Sequence, residues 1–106
     1  MKYLGEALAL LVKEEYAGAC KKFWTAASEM TRFVAAMRGL KVRNLRDQWK
    51  FVTDLRVGRK EPELVRLFHI ANNLRHSAKE RVLTREAVID GAEAVQEYIA
   101  SLRKQA

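Results

Sequence analysis

Helix breakers are scarce in this chain, and that scarcity constrains its fold more than any motif does. One proline, Pro62, and five glycines interrupt 106 residues. Between them apolar side chains return every three or four positions rather than every second one, the period of a helix face and not of a strand. No stretch alternates strictly, and no segment repeats. The pattern predicts an all-α protein of long helices. Short connections make sequential helices run in opposite directions, which gives an antiparallel up-and-down bundle of four to five helices. A chain of this length can build one core but not two, so residues 1–106 read as a single domain.

Five helices can be placed. Tyr3, Leu4, Ala7, Leu8, Leu10 and Leu11 give a first helix from Lys2 to about Lys13. The apolar phase shifts at Glu14-Glu15, which predicts a tight joint although no glycine marks it. The second helix, from about Tyr16 to Arg38, carries apolar residues from Tyr16 to Phe33, Val34 and Met37 around more than half its circumference. A simple surface helix needs only about 100°, so this one is central to the bundle or also faces a second subunit. Its wet side reads as Lys21, Lys22, Ser28, Glu29 and Arg32.

Gly39 supplies the stop after Arg38. Asn44 caps a third helix with help from Asp47, its inner face is Leu45, Trp49, Val52 and Leu55, and Gly58 ends it. Pro62 suits the first turn of the fourth helix, where its missing N–H costs nothing. Thr84 caps a fifth with a stripe of Val88, Ala92, Val95, Ile99 and Leu102.

Charge is the first functional signal. The net charge is +7, and Arg38, Lys41, Arg43, Arg46, Lys50, Arg56, Arg59 and Lys60 stand against only Asp47 and Asp54, so this window carries +6 of it. Such clustering makes the segment a candidate nucleic-acid-binding surface. The plainer reading is a solvated, ion-pair-rich exterior of the kind heat-adapted proteins use. A single cysteine, Cys20, excludes an internal disulfide and a thiolate metal cluster, and fits a reducing, cytoplasmic setting. It falls among core positions and reads as filler rather than nucleophile. No apolar run approaches the ~20 residues of a membrane span, and Gly5-Glu6 and Lys13-Glu14-Glu15 do not suit a signal peptide. No phosphate loop, zinc-ligand spacing or serine elbow is present, so no metal and no cofactor is expected.

The rare polar residues gather between Pro62 and Val82. On a helix, Leu64, Leu67, Phe68, Ala71, Leu74 and Ala78 share one face. His69, Asn73, His76 and Glu80 share nearly the opposite one, with Asn72 at its border. His69 and His76 lie two turns, about 10 Å, apart, too far to chelate one metal as an i, i+4 pair would. In a monomer such a strip is solvated, but across a two-fold axis it meets its own copy and becomes a pocket. Histidine there offers acid–base chemistry or a phosphate contact. Arg75 falls near the apolar face, so it must reach outward along its stem or find a partner such as Glu29 or Asp54. Trp24 and Trp49 read as core anchors, with base stacking as the alternative.

Three stretches carry a resemblance: Tyr16-Ala17-Gly18-Ala19-Cys20-Lys21-Lys22-Phe23-Trp24-Thr25-Ala26-Ala27, Met37-Arg38-Gly39-Leu40, and Leu74-Arg75-His76-Ser77-Ala78-Lys79-Glu80. Together they are similar to the archaeal PaREP family, whose members resemble the HEPN superfamily of small helical bundles associated with nucleotides and RNA. The likeness spans roughly Leu8 to Ile99. It implies an up-and-down bundle, a homodimer, and a fourth helix near the two-fold axis. Active ribonucleases of that superfamily carry an arginine and, after about four to six residues, a histidine. Here the positions before His76 hold Ala71, Ile70 and His69, Arg66 is too distant, and Arg75 is adjacent.

The expected function is therefore a non-catalytic or weakly catalytic dimer that binds RNA, DNA or a nucleotide. The basic window would contact phosphates, and His69, Asn72, Asn73 and Arg75 would line an inter-subunit pocket. The alternatives are a metal-independent ribonuclease of altered motif, with His76 and Glu80 catalytic, and an interaction subunit such as an antitoxin-like or nucleotidyltransferase-partner protein.

Overall fold

The sequence folds into five helices: α1 (Lys2–Val12), α2 (Tyr16–Met37), α3 (Leu45–Arg59), α4 (Glu63–Glu80) and α5 (Arg85–Arg103). This computed structural model describes residues 2–59, 63–80 and 83–104, without the side chains of 56–59 and 80. Pro62, and with it the expected start of the fourth helix, lies outside the described residues. No strand occurs among them. No helix among them is long and apolar enough to cross a membrane.

The ends of α1 and α2 are built alike. After α2, the Leu40 N–H donates to Ala35 O and the Gly39 N–H to Ala36 O, both at 2.9 Å, with Gly39 at φ +74°. After α1, the Glu15 N–H donates to Leu10 O at 2.9 Å and the Glu14 N–H to Leu11 O at 3.0 Å, with Glu14 at φ +61°. Both ends satisfy orphan carbonyls through a left-handed residue. Gly39 adopts that conformation freely, whereas Glu14 does so against a steric penalty. The joint read from the phase shift is therefore real, and it is closed by a residue that does not favour it.

Reciprocal hydrogen bonds start α3. The Asp47 N–H donates to Asn44 Oδ1 at 2.9 Å and the Arg43 N–H to Asp47 Oδ2 at 3.0 Å. Thr84 caps α5, its Oγ1 accepting from the Ala87 N–H at 3.2 Å. α3 continues through Gly58 to Arg59, one residue beyond the expected stop.

α2 is the axis, packing against each of the other four helices. At about 1.5 Å per residue its 22 residues span about 33 Å, which sets the 38 Å long dimension of the molecule. Thr31 of α2 bonds Tyr98 of α5, and Phe68 of α4 also packs on Tyr98 while Leu74 meets Gly91. α5 therefore runs parallel to α2 and antiparallel to α4. Together α1, α2, α4 and α5 alternate in direction. α3 touches α2 mainly through its first turns and otherwise leans on α4.

One buried cluster draws on all five helices. It takes Ala7 from α1, Phe23, Ala27 and Val34 from α2, Phe51 and Val52 from α3, Leu64, Leu67 and Phe68 from α4, and Val88, Val95 and Leu102 from α5. α1 is held on α2 partly by the Lys22 ammonium, 2.7 Å from a Glu6 carboxylate oxygen and 5.5 Å from the Tyr3 ring centre. That ion pair keeps the Glu6 carboxyl below its ordinary range.

Two details of α2 differ from its sequence pattern. Ser28, expected on the wet side, is buried because α3 crosses it and Gln48 Nε2 donates to Ser28 Oγ at 3.0 Å. Phe33 and Met37, expected within the apolar stripe, are 57% and 61% exposed. Val34 and Ala35 in the same turns are fully buried, so Phe33 and Met37 lie on a face of α2 that no neighbouring helix covers.

Candidate functional site

The loop from Arg38 to Asn44 and the first turns of α3 carry the basic segment. Lys41, Arg43, Arg46 and Lys50 are exposed, and none has a carboxylate within ion-pairing distance among the described residues. Arg38 is half-buried and engaged. The side chains of Arg56 and Arg59, and the whole of Lys60, lie outside the described residues. Arg46 and Lys50, at i and i+4, stand one turn apart on the same side of α3, and Arg43 lies in the turn just before it. Asp47 forms no ion pair with them among the described residues, and one of its oxygens accepts from the Arg43 backbone N–H. The ion pairs that do form lie elsewhere: Lys22 with Glu6 at 2.7 Å, Arg32 with Glu29 at 3.9 Å, and Arg66 with Glu63 at 2.6 Å.

The polar strip of α4 divides into two sets. His69, Asn73 and His76 are exposed, whereas Asn72 is buried and its Oδ1 finds no hydrogen-bond partner among the described residues. The Glu80 side chain lies outside the described residues. Arg75 is half-buried over the ring of Trp24, its guanidinium carbon 5.3 Å from the ring centre, and engages neither Glu29 nor Asp54. Its Nη2 stands 3.5 Å from His76 Nε2, at the outer limit of a hydrogen bond. On the other side, Trp49 packs 4.5 Å from Phe68 and 5.9 Å from His69, centre to centre. Trp24 lies 5.6 Å from Phe68. The two tryptophans thus flank Phe68, half-buried, each beside a cationic or titratable side chain at the surface.

Among the surface grooves are three, and His69, Asn72, Asn73, Arg75 and His76 line none of these three. One, about 460 Å3, lies between the start of α1 and the ends of α2 and α5, lined by Tyr3, Met30, Phe33 and Val34 with Lys2 and Arg103. Another, about 330 Å3, lies at the α1–α2 joint beside Ile89. A third, about 240 Å3, lies within the basic segment itself, where Leu40, Val42 and Phe51 sit beside Lys41, Lys50, Asp47 and Asp54. Charge counting alone treats Asp54 only as a subtraction from the basic window, and nothing in the spacing signals that it lines a groove.

Chemically, the site offers cations and acceptors rather than a nucleophile. Burial pushes the Cys20 thiol up to about 11, so it stays protonated and inert at neutral pH. No group of three or more histidine, cysteine or acidic side chains placed to hold a metal ion occurs among the described residues.

The model of the archaeal PaREP1/PaREP8 family matches residues 1–100. No curated protein and no solved structure matches the chain.

Proposed function

We propose that this chain, which belongs to the archaeal PaREP1/PaREP8 family, binds the phosphate backbone of nucleic acid through the loop before α3 and the first turns of that helix. The observation that carries the reading is that Lys41, Arg43, Arg46 and Lys50 have no carboxylate partner among the described residues, while Glu6, Glu29 and Glu63 pair elsewhere. Surface cations without carboxylate partners are available to neutralise phosphates, and the cations condensed on the nucleic acid are then released to solvent, which drives binding. Arg46 and Lys50 stand one turn apart on α3, with Lys41 and Arg43 in the loop just before it, so a single backbone can meet them together.

Self-association belongs to the same reading. The exposed Phe33 and Met37 near the end of α2 support it, with that surface rather than α4 as the contact in this reading. The alternation of α1, α2, α4 and α5 supports the HEPN-like relationship. The α4 strip then acts as a polar flank beside Arg75 and His76 rather than as a closed pocket.

The test is affinity for labelled RNA and DNA as a function of salt. Affinity should fall steeply with added salt, and Arg46→Ala and Lys50→Ala should each lower the slope of log K against log salt by about 0.7–0.9. Undetectable binding at low salt would falsify the reading.

A further inference from the structure

The 240 Å3 groove holds more than a phosphate surface requires. Val42 and the buried Phe51 make an apolar floor, and Leu40, 51% exposed, forms its lip. Lys41 and Lys50 stand at the rim with Asp47 and Asp54. Asp47, Lys50 and Asp54 occupy successive turns of α3 at i, i+3 and i+7, so they face the groove from one side. Asp47 Oδ2 holds the Arg43 N–H at 3.0 Å, which leaves Oδ1 available as an acceptor. Asp54 is exposed and makes no hydrogen bond or ion pair among the described residues, although Lys50 lies one turn before it at a spacing that often pairs. Carboxylates on a surface meant only for phosphates would weaken it, so their presence at the groove calls for a ligand that is anionic in one part and donates hydrogen bonds in another.

We propose that this groove seats one unpaired nucleobase bearing an exocyclic amino group, presented by a single-stranded nucleic acid whose phosphates lie against Lys41 and Lys50. This rests on the phosphate-binding reading above and names the ligand of the same surface. The volume is below the ~300–1,000 Å3 of sites for drug-sized ligands, enough for a base but not for a base pair. A flat apolar face suits the floor of Val42 and Phe51. The base edge then meets Asp54 and the free oxygen of Asp47, and a carboxylate accepts from an amino donor such as cytosine N4. Uracil carries a carbonyl oxygen at that position and offers no donor there. A duplex keeps these edges paired, whereas a single strand can turn a base outward.

Asp47 caps α3, so Asp54 is the residue to vary. Fluorescence anisotropy at low salt compares single-stranded RNA dodecamers of adenine, cytosine or uracil with wild type, Asp54→Ala and Lys41→Ala/Lys50→Ala. Wild type is expected to bind the adenine and cytosine oligomers about fivefold or more tightly than the uracil one. Asp54→Ala is expected to abolish that preference without lowering uracil binding, since it removes a negative charge. The double lysine variant is expected to weaken all three alike. Equal wild-type affinities, or a preference that survives Asp54→Ala, overturn the base assignment and leave the phosphate reading standing. Absence of any binding overturns both.

Discussion

The guanidinium carbon of Arg75 stands 5.3 Å from the centre of the Trp24 ring, so a cation leaning toward the core side of α4 is held by an aromatic face of α2 instead of a carboxylate. Trp24 packs in turn on Phe68, 5.6 Å away. The arrangement ties α4 to α2 through two side chains, and no carboxylate among the described residues pairs with the Arg75 guanidinium beside His76.

Removing that contact has a measurable cost. Arg75→Ala is expected to lower the unfolding free energy by about 0.5–2 kcal/mol, the range of a partly desolvated cation–π pair. It should also shift the emission of Trp24. Urea titration followed by tryptophan fluorescence reads both, and an unchanged midpoint would mean that the ring and the guanidinium are only neighbours.

α4 and α5 approach closely at Gly91. A Cβ placed there would lie 2.8 Å from Leu74 Cδ1, 2.9 Å from Cγ, and nearer still to Cδ2. Gly91→Ala is therefore expected to destabilise by about 1–3 kcal/mol through overpacking, despite the better helix propensity of alanine. Adding Leu74→Ala should relieve part of the clash, so the double variant loses less than the two single losses combined. Strict additivity in thermal or chemical unfolding would contradict the contact.

Thr31 and Tyr98 form a directed buried pair. The Thr31 hydroxyl donates to Ala27 O at 2.8 Å, which leaves its oxygen to accept from the Tyr98 hydroxyl at 2.6 Å. Tyr98→Phe then removes one hydrogen bond and should cost about 1 kcal/mol, whereas Thr31→Val strands the Tyr98 donor and should cost about 1–3 kcal/mol. Equal losses would argue against this direction of donation.

The same tyrosine and Cys20 set an alkaline limit. Burial raises the folded pKa of each, Cys20 from 9.0 to about 11 and Tyr98 upward from 10.0. The unfolded chain ionises first, so it binds fewer protons than the folded one in this window. Stability from both groups is fully present below pH 9 and declines as pH rises past 9.0 and then 10.0 toward the folded values. Unfolding measured from pH 8 to 11 should show that decline, and Cys20→Ala with Tyr98→Phe should flatten it.

Glu14 offers a gain. It occupies the left-handed position that Gly39 occupies at the matching end of α2. A non-glycine residue there carries a penalty of about 1–2 kcal/mol, and glycine recovers part of it after its own entropy cost. Glu14→Gly should raise the unfolding temperature; a fall would mean that the Glu14 side chain contributes contacts that outweigh its backbone.

Much of this molecule was legible in one dimension, and the reasons are local. The stripes of α4 and α5 turned inward as read because Leu64, Leu67, Phe68, Ala71, Leu74 and Ala78, like Val88, Ala92, Val95, Ile99 and Leu102, lie on faces defined by helical period alone. The caps at Asn44 and Thr84 and the stop at Gly39 are short-range hydrogen-bond and dihedral requirements, so a few residues suffice to predict them. The candidate site was legible only in part. Clustering of lysine and arginine is visible in sequence, but whether each has a carboxylate partner depends on which helix lies across from it.

What the sequence by itself determined is the set of helices, their ends, and which side of α4 and α5 faces inward, since backbone propensity and hydrophobic period act within a turn or two. What only the tertiary structure decided is where those helices cross. The passage of α3 over α2 buried Ser28 against Gln48, and the close contact of α2 with α4 set Arg75 on Trp24. The last turns of α2 were left uncovered at Phe33 and Met37, and the α2–α3 loop folded against Phe51 to make the groove that Asp54 lines. Each depends on contacts between residues more than two helical turns apart in the sequence, or on contacts that never form, and helical periodicity carries no information about either.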